Sequence, residues 1–332
     1  MRNLVTGASG FLGSHLVEGL LAAGEEVTAL VRRSSDRSHL DRLGVGVVEA
    51  DLLDRASLVR RVAGFDRVFH CAAMVKDWGT WGEFRAANVT AVQNLLAASA
   101  AAGVGRFVHV SSTDVYGHPD RVVDESAPLR RRGFRYGDTK IEAEELLWQF
   151  VERNDLPTVV VRPANLYGPR SKTFVDEALR LLREGTPLIP ANRSAGLTQV
   201  SNAVDAILLL ASDERSVGRA FNITDDSPVG WQTYFERLAE IAGLPQPRFV
   251  PIPRRAAYAA AWAVEAAHCK LRLKSSPPLT RLAVELMTTE QGFSSERLRS
   301  EFGYRPRIDF EEGMRRLRDE LRGRRTPDAT RR

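Results

Sequence analysis

The chain of 332 residues predicts an α/β fold: a doubly wound parallel sheet with a smaller, interleaved, mostly helical C-terminal lobe. Three observations predict it. Short Val-rich runs alternate with longer amphipathic runs through the first half. A glycine-rich stretch, TGASGFLG, stands between the first apolar run and the first amphipathic one. After Arg162 the rhythm gives way to Pro-rich loops, with a single strand–helix–strand return.

The apolar runs predict strands at 3–6, 26–31, 46–50, 67–72, 106–112 and 158–162. Between them FLGSHLVEGLLAAG, RASLVRRVAG, FRAANVTAVQNLLAASAAAG and TKIEAEELLWQFVERN have helical spacing. Several of these close on Gly, which accepts the left-handed geometry of a helix C-terminus. Strands that are apolar on both sides must be covered on both faces. Beyond Arg162 come RPANLYGP, PLIP, PQPRFVPIPRR and SSPPLT. There TQVSN (198–202) predicts a strand, AVDAILLLAS a helix and RAFNIT (219–224) another strand. No internal repeat is visible.

Hydrophobic residues make up 43% of the chain and charged residues 27%, an ordinary globular balance. The most apolar stretch, AAYAAAWAVEAAHC from Ala256, is too short to span a bilayer and is interrupted by Glu265. MRNLVTGASG lacks the layout of a signal peptide, and the two cysteines, Cys71 and Cys269, make no disulfide framework. A reducing, cytoplasmic setting is the expectation. The six histidines form no HExxH pair and no Cys/His cluster, so no metal is expected. The net charge of +5 lies in scattered arginines and the tail RGRRTPDATRR, not in a stripe suited to nucleic acid.

In TGASGFLG, Gly7 permits the tight turn, Gly10 lets backbone approach a pyrophosphate, and Gly13 lets helix pack on strand. The following helix start offers free N–H groups to the anion. This predicts a Rossmann-type dinucleotide-binding unit over 1–165, returning at 198–224. Residues 166–197 and 225–322 then form a substrate lobe, and 323–332 a flexible basic tail. At the end of the second strand an acid would bond a ribose 2′-OH, whereas an arginine suits a 2′-phosphate. The chain reads ALVRRSS there, so Arg32 and Arg33 favour NADP(H) over NAD(H). Asp51, after the third strand, is placed to reach the adenine, or simply to cap the start of a helix.

Tyr136 and Lys140, in YGDTK, stand four apart, so a helix puts both on one face. Together with TGASGFLG, ADL, HCAA, NVTAVQNLL, VHVSSTDVYG and RPANLYGP they make the chain resemble the extended short-chain dehydrogenase/reductase family. The resemblance implies a catalytic set of Ser112, Tyr136 and Lys140, with Ser111 and Thr113 as rival hydroxyls. It also implies cofactor contacts at Phe11, Leu12, Leu52, Ala72, Asn88 and Pro163, besides the glycines, Tyr136 and Lys140. A tyrosine with a pKa near ~10 is a poor base at neutral pH, and a neighbouring ammonium is expected to lower it. Tyr116 and Tyr167 lack a lysine four residues on and read as packing.

Three functions compete within that resemblance. One is an NADP-dependent alcohol dehydrogenase or ketone reductase. Another is a nucleotide-sugar epimerase or dehydratase that retains NAD, supported by Asp114 beside Tyr116. The last is a dinucleotide sensor, weakened by the complete Ser-Tyr-Lys set. GLTQVSN lacks the Arg-Asp with which sugar enzymes hold a diphosphate. LTQVSNAVDAILLLAS, MVKDWGTWGEF and FGYRPRIDFEEGMRRL resemble the 3β-hydroxysteroid dehydrogenase and 2-alkyl-3-oxoalkanoate reductase branch. That branch implies a hydrophobic β-keto or β-hydroxy substrate. The helix around Tyr258, Trp262 and Val264 is a candidate lining for its pocket, and Arg130, Arg131, Arg132 and Arg135 are candidate carboxylate contacts or a solvated loop. A homodimer is possible.

Overall fold

The computed structural model describes residues 1–188, 193–273 and 275–325. Its strands are β1 (Arg2–Thr6), β2 (Glu26–Val31), β3 (Gly46–Glu49), β4 (Arg67–His70), β5 (Arg106–Val110), β6 (Thr158–Pro163), β7 (Asn165–Tyr167), β8 (Leu197–Gln199) and β9 (Arg219–Ile223). Seven of them form one sheet in the order β3-β2-β1-β4-β5-β6-β9, every pair parallel. The order reverses beside β1, which opens a crevice at the carboxyl ends of β1 and β4.

Alternate residues of each strand feed two cores. Val5, Ala29, Phe69, Val108, Val161 and Phe221 pack under the helices Phe11–Ala22 and Val200–Ser212. Leu4, Leu30, Val68, Phe107 and Val160 pack on the other face, under Arg55–Val62, Ala91–Ala101 and Arg135–Asn154. This two-sided burial explains why the strands read as continuous apolar runs. A third core joins Tyr167, Leu179, Leu197, Trp231, Tyr234, Leu238 and Met314 beyond the end of the sheet.

The segment TQVSN departs from the expected strand. β8 ends at Gln199, and Val200 already opens the next helix. The cause is local: the Gln199 side chain accepts from the backbone N–H groups of Ser201 and Asn202, capping the helix. β8 also pairs with β7 rather than joining the main sheet. Of the expected tail, 323–325 continue the helix Phe310–Arg325, and 326–332 lie outside the described residues. No described helix is long and apolar enough to cross a membrane.

Candidate active site

The glycine turn is shaped by close backbone approaches. Gly7 has φ +67°, and a Cβ there would stand 2.6 Å from the Ala72 nitrogen. A Cβ on Gly13 would stand 2.2 Å from the Gly7 carbonyl oxygen. Gly10 caps the helix that begins with Phe11 and Leu12, and its side contributes no side-chain cap. The first N–H groups of that helix are therefore left without a side-chain cap. Thr6 steadies the turn: its hydroxyl bonds His70 Nδ1 at 2.8 Å and accepts from Ala72 N at 3.3 Å. A cradle that admits no Cβ and presents free amides fits a pyrophosphate.

The other expected cofactor residues border the same crevice. Arg32 and Arg33 follow β2, both exposed, and form no ion pair among the described residues. Asp51 is exposed and accepts from Leu53 N at 2.9 Å, so it caps its own turn. Leu52 is held by its carbonyl, which accepts from Asn94 Nδ2 at 2.9 Å. Pro163 ends β6. Asn88 is buried in a π-helical turn, Ala86–Thr90. Its Oδ1 accepts from Met74 N at 2.7 Å, and its Nδ2 donates to Thr139 Oγ1 at 3.1 Å. Asn88 thereby ties the loop after β4 to the helix that carries Tyr136.

Ser112, Tyr136 and Lys140 come together at the end of β5. Ser112 caps the short turn Thr113–Tyr116 by accepting from Asp114 N, and its hydroxyl lies near enough to the Tyr136 phenol to draw the phenol's pKa down. Of the rivals, Ser111 has a buried hydroxyl without a hydrogen-bond partner among the described residues, and Thr113 donates to Pro163 O at 3.5 Å. Lys140 is buried, with Nζ 5.9 Å from the centre of the Tyr136 ring.

The electrostatics differ from the sequence expectation. Enclosure of the Tyr136 phenol, and then the Asp114 carboxylate, push its pKa above the ordinary tyrosine value, while Ser112 pulls it down. The ammonium does not offset this enclosure; its Nζ donates to the Val110 carbonyl, 2.8 Å away. Burial lowers Lys140 itself to about 8, against the attraction of Glu144, Cys71 and Asp114. Asp114 is raised by burial, with His118 and Lys140 opposing. Cys71, enclosed beside Lys140, is pushed up to about 12 and stays a thiol. The set holds a protonated phenol, a proton donor at neutral pH.

Several supports were not legible as site residues. Asp138 accepts from Arg132 N and Gly133 N, both at 2.9 Å, and so closes the turn into the Tyr136 helix. One turn past Lys140, the fully buried Glu144 takes both arms of Arg162, at 3.0 and 2.6 Å. Arg162 also donates to the Tyr116 hydroxyl, which donates to Asn222 Oδ1, both at 2.8 Å. Tyr116 and Tyr167 are both buried in packing. From RPANLYGPR, Arg170 reaches Glu18 and the Pro169 carbonyl meets His15 Nε2, strapping the segment onto the first helix.

On the substrate side, Arg131 pairs with Glu145 and Arg132 lies 3.6 Å from Glu285. Arg135 instead lies between Trp78 and Trp81, 5.3 and 5.9 Å from their rings. In the helix Arg254–Lys270, Tyr258 and Val264 are half-buried. Trp262 is 59% exposed, so it faces solvent instead of lining a pocket. Among the described residues no cluster of His, Cys, Asp or Glu has metal-ligand spacing.

Residues 3–224 match the NAD dependent epimerase/dehydratase family. The chain is 33% identical over 331 residues to the 2-alkyl-3-oxoalkanoate reductase of Stenotrophomonas maltophilia (strain K279a), covering 96% of this chain and 98% of that one. It is 34% identical over 323 residues to the 4-hydroxy-2-methyl-3-oxo-4-farnesyl-3,4-dihydroquinoline-1-oxide ketoreductase of Stigmatella aurantiaca, covering 96% of each. Among solved structures, MoeE5 in complex with UDP-glucose and NAD superposes with a TM-score of 0.77 at 27% identity, covering 98% of this chain and all of that one.

Proposed function

The chain belongs to the NAD dependent epimerase/dehydratase family and is an NAD(P)-dependent dehydrogenase/reductase; from that premise we propose that it uses NADP(H) to interconvert a hydrophobic ketone and its secondary alcohol. The substrate is of the β-keto or β-hydroxy acyl or sterol-like class. One observation carries the chemistry: the protonated Tyr136 phenol meets the Ser112 hydroxyl on one side and has the buried Lys140 ammonium one helical turn away.

A bound dinucleotide supplies hydride at its nicotinamide ring. The chain's own residues handle the oxygen. Ser112 donates to the substrate oxygen and holds it beside the phenol. Tyr136 passes its proton to that oxygen as negative charge builds there. The Lys140 ammonium, fixed by Val110, stabilises the phenolate left behind. In the oxidative direction the same groups run in reverse.

Arg32 and Arg33 support the 2′-phosphate reading, since both guanidiniums are exposed and have no carboxylate partner among the described residues. The two relatives named above, a 2-alkyl-3-oxoalkanoate reductase and a ketoreductase, support the substrate class. A second reading, a nucleotide-sugar enzyme with retained NAD, draws on Asp114, whose raised carboxyl stands beside Tyr136. One experiment separates the two. The purified protein is denatured and its supernatant assayed for nucleotide, and a second sample is melted with NADPH or NADH. The ketone reading expects no retained NAD and a larger rise in melting temperature with NADPH. Stoichiometric NAD in the purified protein overturns it.

A further inference from the structure

The helix Arg254–Lys270 buries only Ala257 and Ala261 among its 17 residues. Val264, Glu265 and His268 are half-buried on the same inward side. The outward side is a strip of small apolar residues running from Ala256 to Ala267, edged by Trp262. Arg255 and Lys270 stand exposed near its two ends. The chain then continues as Leu271, Arg272 and Leu273, with the two leucines 67% and 43% exposed. The helix's one acid, Glu265, turns away and is held by the Arg281 guanidinium at 2.6 Å and its backbone N–H at 2.7 Å. The exposed side therefore carries apolar and basic groups and no carboxylate.

This surface adjoins the candidate active site. The Trp78 ring lies 6.3 Å from His268, in the last turn of the helix. Arg135, which lies against Trp78, immediately precedes Tyr136. Val75 and Lys76, on the loop that carries Trp78, are both exposed beside the surface, and the acid next to them, Asp77, is engaged by the Thr280 hydroxyl at 3.0 Å.

We propose that this face docks on an anionic lipid bilayer, with Trp262, Leu271 and Leu273 entering the headgroup layer and Arg255, Lys270 and Arg272 meeting lipid phosphates. The composition fits that occupant. Indole rings and leucines favour the boundary between headgroups and acyl chains, and long basic side chains reach outward from there to phosphate. Each basic residue near an anionic leaflet adds attraction, and the net charge of +5 has the same sign. A second copy of the chain fits less well. A twofold contact through this strip sets the basic ends of the two helices, Arg255 at one and Lys270 and Arg272 at the other, against basic ends of the second copy, and like charges across an interface repel. The docked face also places the mouth of the crevice at the lipid surface, where an apolar ketone is most concentrated; that last step rests on the proposed activity, whereas the docking does not.

The test uses the full chain without ketone. Protein is sedimented with vesicles of phosphatidylcholine alone, or of phosphatidylcholine mixed with phosphatidylglycerol, at low and high salt. Expected is co-sedimentation with the mixed vesicles that is released by salt. In Lys270→Glu/Arg272→Glu, and separately in Trp262→Ser, the partition coefficient falls roughly tenfold or more. The rise in melting temperature on adding nucleotide is expected to be unchanged in both variants, showing that the fold is intact. The proposal is overturned if the unmodified protein stays in the supernatant, or if both variants pellet as well as it does. It is also overturned if vesicle-free sedimentation shows self-association that these substitutions abolish. Because no turnover is measured, failure here leaves the proposed activity standing, and failure of that activity leaves the docking result readable.

Discussion

Lys140 Nζ donates a 2.8 Å hydrogen bond to the carbonyl of Val110, the last residue of β5. The bond orients the ammonium, but enclosure lowers its pKa from 10.5 to about 8. The positive charge behind the phenol therefore fades as pH rises through about 8, while the raised phenol keeps its proton. We expect kcat/KM for ketone reduction to fall along an alkaline limb near that value. Stability runs the other way. The unfolded lysine holds its proton up to 10.5, so net stability rises with pH between about 8 and 10.5 from this group. A rate profile that stays level well beyond pH 8 removes Lys140 from the electrostatics of the reaction.

Tyr136→Phe deletes one hydroxyl and keeps the ring. With the proton donor gone, kcat is expected to fall by roughly 10²–10⁴. The pyrophosphate cradle is untouched, so the nucleotide-induced rise in melting temperature should persist. Near-normal turnover in this variant would assign the proton transfer to another group, with Asp114 next in line.

Gly13→Ala forces a methyl group to within 2.2 Å of the Gly7 carbonyl oxygen, a backbone atom with no rotamer to yield. Moving the turn costs roughly 1–3 kcal/mol and disorders the amides aimed at the pyrophosphate. Calorimetry should show a lower melting temperature and loss of nucleotide binding. Gly323→Ala is the control, since a Cβ there meets nothing within 4 Å. In that helix, alanine should be neutral or stabilising by about 0.5–1 kcal/mol.

Arg32→Ser combined with Arg33→Ser removes two exposed guanidiniums that hold no carboxylate among the described residues. A charge-assisted phosphate contact of about 1.5–3 kcal/mol corresponds to roughly a 10–100-fold loss of NADPH affinity. NADH affinity, which uses no 2′-phosphate, should barely change. Titration of both nucleotides by fluorescence reads the ratio, and equal losses for the two would count against the 2′-phosphate contact.

The sequence carried those features whose cause is local. Val159, Val160 and Val161 announce a strand buried on both faces because each of its sides packs under helices. Gly13 announces a cradle because a side chain there meets the backbone of Gly7, six residues back. Features whose cause is a distant partner were silent. Nothing near Asn88 names Thr139, which is 51 residues on. The strand expected at 198–202 reaches only Gln199, because that side chain caps a helix that apolar periodicity places later. Trp262 was misassigned for a related reason. A helix with alanine nearly all round lacks the polar residues that mark an outer face, so periodicity could not tell inside from outside.

The Glu144–Arg162 pair lies behind Lys140 with both side chains almost wholly enclosed, 0% and 7% exposed. Its two bonds join the helix Arg135–Asn154 to β6, and Tyr116 adds a third contact. Glu144→Ala leaves the guanidinium buried without its carboxylate, which costs about 3–5 kcal/mol. Replacing both members by apolar residues of similar size, Glu144→Leu with Arg162→Met, removes the stranded charge along with the pair. That double variant should therefore be more stable than the single one, despite carrying more changes. Urea unfolding of the three proteins measures the difference. A single variant as stable as the parent would mean that water reaches Arg162, and that the enclosure which lowers the Lys140 pKa is weaker than the packing here indicates.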